Sequence, residues 1–242
     1  MFFKRVISEN LLEIIMTEAE KQFEEYRKSL WEEITRLTSY IRIYVRLSQR
    51  CSDRLEEINI APHFFSHIRD SLLSSITLWI EKLFGTKSEC SLLKFLRFVE
   101  NNRGLFEVGE RARRRKSDEE RSWSLEQITL EIINSDYNKL REIESLPGFE
   151  LMRNKFTAHF DKPYFFNKTK LQQETKISKI SWLDFDDYIS LSREILNRYS
   201  LAYDGQEYEI IDVDSFDIDN LLDALHEYIV HNKQKLQNMG VL

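Results

Sequence analysis

Arg153 and His159 lie six residues apart in the segment Arg-Asn-Lys-Phe-Thr-Ala-His. Histidine has an ordinary pKa of about 6.5 and can exchange protons at neutral pH. Arginine stays charged and can bind two phosphate oxygens through its planar guanidinium. Asn154 directly follows the arginine and can donate a hydrogen bond to a phosphate or ribose oxygen. These residue types suit acid–base chemistry on a phosphodiester, although the spacing alone is also typical of a solvated or capping pair.

The geometry of a helix limits how these two side chains can act. On an ideal α-helix, residues six apart are separated by about 9 Å along the axis and about 120° around it. Arg153 and His159 can therefore act on an extended phosphodiester, or together with the same segment of a second copy. We expect the helix to end near His159, because Asp161 and Pro163 follow. Asp161 either orients the imidazole or simply belongs to the helix terminus.

Long helices are expected to position this segment, since the 242 residues include only six Gly and three Pro. No Gly or Pro occurs between Ser8 and Glu57, where apolar residues recur at helical spacing, so we predict one long helix or two joined near Lys28. Further helices are predicted at Pro62 to Gly85, Ser88 to Asn102, Ser124 to Leu146, Phe149 to about His159, Leu183 to about Tyr203 and about Phe216 to Lys235. Weak alternation over Gln206 to Val213 indicates a short strand.

The formal net charge of −6, from 35 basic and 41 acidic residues, weighs against a protein that coats nucleic acid generally. It leaves room for a local basic patch. Glu9 and Glu13 interrupt the first apolar run before it reaches the length of a signal peptide, and no apolar stretch approaches bilayer length. We therefore expect a cytoplasmic protein that makes no membrane contact.

Metal binding is not expected from the cysteine and histidine pattern. Cys51 and Cys90 are far apart and form no CxxC pair. His63 and His67 lie four residues apart on one helical face, but no acidic partner follows in a zincin-like pattern. We predict no metal site and no cofactor.

The segment from Arg153 to His159 resembles the signature of the HEPN superfamily, in which a polar residue and then a histidine follow an arginine. Its Arg-Asn-Lys start, its Ala-His end and Asp161 resemble the abortive-infection U-type (AbiU-like) branch in particular. The upstream order is similar too, with Asp-Ser-Leu-Leu-Ser at residues 70–74 on one helix and a Leu-rich helix at 91–99. The resemblance covers roughly residues 60 to 205.

This resemblance implies an all-α fold, an antiparallel helical bundle with a HEPN-like four-helix core and added N- and C-terminal helices. Residues 1–60 would form an N-terminal long helix or helices packed on the core. Residues 61–205 would form the HEPN-like helical core. Residues 206–242 would form a C-terminal extension with a short strand and a helix.

The resemblance also implies a function, since many HEPN proteins are dimeric, metal-independent endoribonucleases whose two motifs form one composite site. His159 would remove the 2′-hydroxyl proton, and Arg153, with Asn154, would bind and stabilise the phosphate. The expected partners are RNA, a second copy of the chain, and an antitoxin or another neighbour-encoded protein. Phage defence or action as a toxin is the expected role. The alternative is a catalytically silent HEPN module that binds a nucleotide or a partner protein.

A basic connector, residues 111–116, precedes the motif in the sequence. Arg113, Arg114 and Arg115 lie within it, and the acidic residues 118–120 follow. These arginines either bind the RNA backbone beside the site or form a solvated connector that the acidic residues neutralise.

Overall fold

The computed structural model describes residues 16–86, 88–107, 127–143, 146–154, 182–209 and 216–238. Within these ranges the chain is an all-α bundle without a strand, which confirms the predicted fold class. None of the helices described has an apolar stretch that could cross a bilayer. The α-helices are α1 (Glu18–Asp53), α2 (Leu55–Ile58), α3 (Pro62–Phe84), α4 (Leu92–Asn101), α5 (Leu130–Arg141), α6 (Leu146–Met152), α7 (Trp182–Asp204) and α8 (Phe216–Asn238), with a 3-10 helix at Arg103–Phe106.

The first helix, α1, is a single element of 36 residues, so the alternative without a break at Lys28 is correct. Its start is fixed by a capping box. The Thr17 hydroxyl accepts a hydrogen bond from the Glu20 N–H at 3.3 Å, and the Glu20 carboxylate accepts one from the Thr17 N–H at 2.7 Å. Together these bonds satisfy two N–H groups that a helix start leaves unpaired.

The core is centred on α1, which packs against α3 on one side and α7 on another. The buried face of α1 carries Phe23, Leu30, Ile34, Leu37 and Ile41, at steps of seven, four, three and four residues. Phe23 contacts the Tyr203 ring of α7 at 4.4 Å and the Phe106 ring at 5.5 Å between centroids. The predicted long helix is therefore a central part of the bundle.

The last helix, α8, is held by a second, smaller apolar cluster and by ion pairs. Its buried Leu222 packs with Leu47 of α1 and Phe65 of α3. Asp219 accepts hydrogen bonds from the side chains of Arg46 and Arg50 of α1, the latter at 2.7 Å. Burial acts to raise the pKa of Asp219, but the hydrogen bonds from these two arginines outweigh it and hold the pKa below its ordinary value.

Several predicted helix boundaries were wrong. Helix α4 begins at Leu92 rather than near Ser88, and α5 ends at Arg141 rather than at Leu146. Residues 127–129 are not helical, and α5 begins after Thr129, whose hydroxyl accepts a hydrogen bond from the Ile132 N–H at 3.4 Å. Thr129 is thus the N-cap of α5, and the capping box predicted at Ser124 lies outside the described residues. The motif helix α6 starts at Leu146 rather than at Phe149, because Pro147 fits the first turn of a helix.

The strand predicted over Gln206 to Val213 is not found in the part of this segment that the structure describes. Residues 206–209 have no regular structure, and residues 210–213 lie outside the described ranges. Instead, the side chain of Asn197 on α7 forms hydrogen bonds with the backbone of Tyr208. Its side chain accepts a hydrogen bond from the Tyr208 N–H and donates one to the Tyr208 carbonyl, both at 2.9 Å. The backbone N–H and carbonyl of Tyr208 are thus paired with an amide side chain and not with a neighbouring strand.

Helix α6 is wedged between α3 and α7 by two buried side chains. Phe149 is completely buried and contacts the rings of Phe185 and Tyr188 on α7 at 6.1 and 5.8 Å between centroids. Met152 is also buried, with its Sδ atom 3.6 Å from the Thr77 hydroxyl of α3. These contacts fix the backbone position of Arg153, which directly follows Met152.

We predict that Phe149→Ala lowers the free energy of unfolding by about 3–5 kcal/mol, because it leaves a cavity between α6 and α7. Urea denaturation followed by circular dichroism measures this. Phe64→Ala is the matched control, since Phe64 is 53% exposed and the same truncation there should cost less than about 1 kcal/mol. Equal losses of unfolding free energy in the two variants would contradict the burial of Phe149 between α6 and α7.

Candidate functional site

The predicted site residues Arg153 and Asn154 immediately follow α6 and adopt π-helical conformation. Such turns are rare and occur frequently at functional sites. The ideal α-helical separation of Arg153 and His159 therefore does not hold at the start of the motif. Both Arg153 and Asn154 are half-buried, so each is neither in the core nor fully in solvent.

Arg153 forms an ion pair with a carboxylate of a different helix. Its Nη2 group donates a hydrogen bond of 2.7 Å to Oε1 of Glu81 on α3. The two side chains are 22% and 13% exposed, so the pair is largely shielded from water. The Nε atom of Arg153 is buried and has no hydrogen-bond partner among the described residues. The guanidinium is thus held through its Nη2 group.

Glu81 occupies the face of α3 that meets α6. Thr77 lies one turn earlier on that face and contacts Met152. The consecutive residues Met152 and Arg153 therefore contact two residues of α3 that are four apart, Thr77 and Glu81. Gly85, at the end of α3, lies close to both the carbonyl and the carboxylate of Glu81. The Gly85 N–H bonds the Glu81 carbonyl at 2.7 Å, and a Cβ atom at Gly85 would lie 2.3 Å from that oxygen and 3.0 Å from Oε1.

Glu81 is the site residue that sequence reasoning missed. A four-residue step from Thr77 and a following Gly85 are visible in the sequence, but both patterns are common near a helix end. Nothing in the sequence pairs α3 with α6. Only the packing of the two helices shows that Glu81 faces Arg153.

The remaining predicted site residues lie outside the described residues. They are His159, Asp161 and the connector arginines Arg113, Arg114 and Arg115. The convergence of Arg153 with His159 therefore stays a prediction, as do the orienting role of Asp161 and the RNA contacts of the connector.

The residues considered for metal binding are not gathered into a site. His63 and His67 are both exposed on the first turns of α3. Cys51 is half-buried, Cys90 is exposed, and both are free thiols. Over the described ranges, no three His, Cys, Asp or Glu side chains cluster as metal ligands would.

A second buried polar group connects α5 with α7. Asp136 is buried and accepts a hydrogen bond of 2.8 Å from the Tyr199 hydroxyl, with Arg198 at 3.3 Å. Burial raises the pKa of the Asp136 carboxyl despite these partners, and burial likewise raises the pKa of Tyr199. Because its partners here are all internal to the bundle, we assign this group to the packing of α5 on α7.

A comparison with protein families found one that accounts for most of the chain. The model HEPN_AbiU2, described as AbiU2, matches residues 20–231. The chain belongs to this family. The resemblance carried by the segment from Arg153 to His159 is thus confirmed, and the AbiU2 match also includes most of α1 and α8, beyond residues 60 to 205. Comparisons with curated proteins and with solved structures gave no significant match.

The ion pair between Arg153 and Glu81 predicts a coupling in stability. Arg153→Ala and Glu81→Ala each leave a shielded charge without its partner, whereas the double variant removes both charges. We expect a coupling of about 1–3 kcal/mol in the free energy of unfolding, measured by urea denaturation of all four proteins.

Glu33 provides the control for this cycle, because its carboxylate on α1 is paired with Lys82 at 3.1 Å and not with Arg153. Glu33→Ala and Arg153→Ala should be additive within about 0.5 kcal/mol. Additivity of the Glu81 and Arg153 substitutions would show that their contact contributes nothing.

Proposed function

We propose that this AbiU2-family protein is a metal-independent endoribonuclease of HEPN type, acting in phage defence or as a toxin. The family name points to abortive infection. One observation carries the catalytic part of the proposal: Glu81 holds the motif arginine at a π-helical turn, and the arginine side chain is 22% exposed. A fixed, partly exposed cation is suited to stabilising charge on a phosphate.

The proposed reaction uses only side chains of the motif. His159 removes the proton from a ribose 2′-hydroxyl, and the 2′-oxygen attacks the adjacent phosphorus. The bond from phosphorus to the 5′-oxygen breaks, and the leaving oxygen takes up a proton. The products are a 2′,3′-cyclic phosphate and a free 5′-hydroxyl. Arg153 stabilises the charge on the non-bridging oxygens, and Asn154 hydrogen-bonds the phosphate or ribose.

We further propose that the site is completed by a second copy of the chain. The match to the AbiU2 family supports this, since the resemblance to HEPN proteins implies two motifs that form one composite site. Two copies of the motif facing one groove would place two cations and two imidazoles along one sugar–phosphate chain. Because the net charge of −6 opposes RNA binding over the whole surface, affinity would come from such local groups and from Arg113, Arg114 and Arg115. An antitoxin or another neighbour-encoded protein would be a further partner.

The decisive experiment is cleavage of a labelled RNA in EDTA by the wild type, His159→Ala and Arg153→Ala. We expect losses in rate of about 10²–10⁴ for the histidine variant and about 10²–10³ for the arginine variant. The wild-type product should carry a 2′,3′-cyclic phosphate by mass spectrometry. Arg193→Ala is the matched control, since Arg193 is an exposed arginine on α7. If both motif variants cut RNA as fast as the wild type, the proposal is lost.

The composite site predicts how activity responds to mixing of subunits. When His159→Ala protein is exchanged with an equal amount of wild type, only wild-type pairs hold two complete motifs. The cleavage rate should then fall to about one quarter of that of an all-wild-type sample at the same total concentration. Sites that each use one subunit would give about one half. Analytical ultracentrifugation of the same mixtures checks that they are dimeric.

A catalytically silent module is the second candidate, and the same ion pair favours it. Glu81 neutralises Arg153, which weakens the attraction of this side chain for a phosphate and suits a purely structural contact. Wild-type protein that leaves RNA intact in EDTA, yet binds a nucleotide or a neighbour-encoded protein, would support this alternative.

A further inference from the structure

One shielded carboxylate beside the motif has no assigned role in the reaction. Glu81 is 13% exposed, and its partner within the described residues is the guanidinium of Arg153. We propose that Glu81 is a positioning residue, which fixes the guanidinium of Arg153 for a phosphodiester. This inference rests on the proposed ribonuclease function and adds a residue outside the Arg153 to His159 segment.

The anchoring is rigid on the side of Glu81. Its neighbours Ile80, Leu83 and Phe84 are buried in the main core, so the backbone of α3 is fixed at this point. The space next to its carboxylate is limited by Gly85, where a Cβ atom would approach Oε1 to 3.0 Å. A long arginine side chain that bonds such a carboxylate loses most of its rotational freedom before any substrate arrives.

The contact leaves donor groups for a substrate. A guanidinium has five N–H groups, and the bond from Nη2 to Glu81 uses one of them. Nε is buried, so a phosphate would have to bind the remaining N–H groups of Nη1 and Nη2. Glu81 therefore sets the direction of this end of the guanidinium without consuming its capacity to bind two phosphate oxygens.

The charge of Glu81 determines which kinetic constant should change. A carboxylate beside Arg153 repels a phosphate, so it does not strengthen binding of the RNA ground state. Its benefit is pre-organisation, which is realised as charge develops in the transition state. Removal of Glu81 should thus lower the rate of the bound complex and leave RNA affinity nearly unchanged. If Glu81 instead competed with phosphate, its removal would tighten RNA binding and leave the rate unchanged.

The test compares wild type, Glu81→Ala and Glu81→Gln in single-turnover cleavage of RNA in EDTA. The dissociation constant is measured with an RNA that carries a 2′-O-methyl group at the cleavage position. We expect Glu81→Ala to cleave about 10–100-fold more slowly at saturating protein, with a similar dissociation constant. Glu81→Gln keeps an oxygen acceptor of the same shape and should lose less.

The matched control is Glu33→Gln. Glu33 is a carboxylate of α1 that likewise bonds a neighbouring helix, since it accepts a hydrogen bond of 2.6 Å from the Trp79 indole of α3 and pairs with Lys82. An equal loss of rate in Glu33→Gln would overturn the inference, because general loosening of α3 would explain both results. Thermal melts confirm that each variant is folded at the assay temperature. If Glu81→Ala is not folded, the isosteric Glu81→Gln decides, again by a slower rate at unchanged affinity.

The outcomes separate this inference from the proposed function. A wild type that does not cleave RNA removes both. A wild type that cleaves, together with Glu81 variants that cleave at the same rate or bind RNA more tightly, removes only the positioning role.

Discussion

The docking of α6 between α3 and α7 is the constraint on which the candidate site depends. This helix has seven residues and could not persist alone in water, where helices shorter than about 12–15 residues are marginal. Its stability comes from the burial of Phe149 against α7 and of Met152 against α3. Arg153 directly follows, so the position of its backbone is determined by apolar contacts on the two preceding turns.

The ion pair between Arg153 and Glu81 gives this site its electrostatic character. A shielded ion pair contributes little net stability, because the cost of removing two charges from water offsets most of their attraction. The pair does favour one arrangement of the two side chains, since separating them would leave two shielded charges without a partner. The carboxylate of Glu81 also weakens the attraction of Arg153 for any anion.

The first and last helices that the structure describes, α1 and α8, pack with the rest of the fold. Phe23 and Leu30 of α1 lie in the main core, and Asp219 and Leu222 attach α8 to α1 and α3. The family match from residue 20 to residue 231 is consistent with this packing. The predicted division at residues 60 and 205 remains a prediction about domain boundaries, but α1 supplies a central layer of the bundle.

Local patterns in the sequence were sufficient to locate most of the helices that the structure describes. The periodicity of Phe23 to Ile41, Pro62 at the start of α3 and Gly85 after its end all act within a few residues, so they can be recognised without the fold. The start of α5 was predicted wrongly, because Ser124 and Thr129 are both residue types that favour an N-cap, and residue type alone does not rank them. Glu81 could not be found in this way, since it lies 72 residues from Arg153 and meets it only because α6 packs on α3. Sequence determined which groups are available for chemistry, whereas tertiary packing decided that Arg153 carries a carboxylate partner, because contacts between distant helices depend on the shape of the whole core.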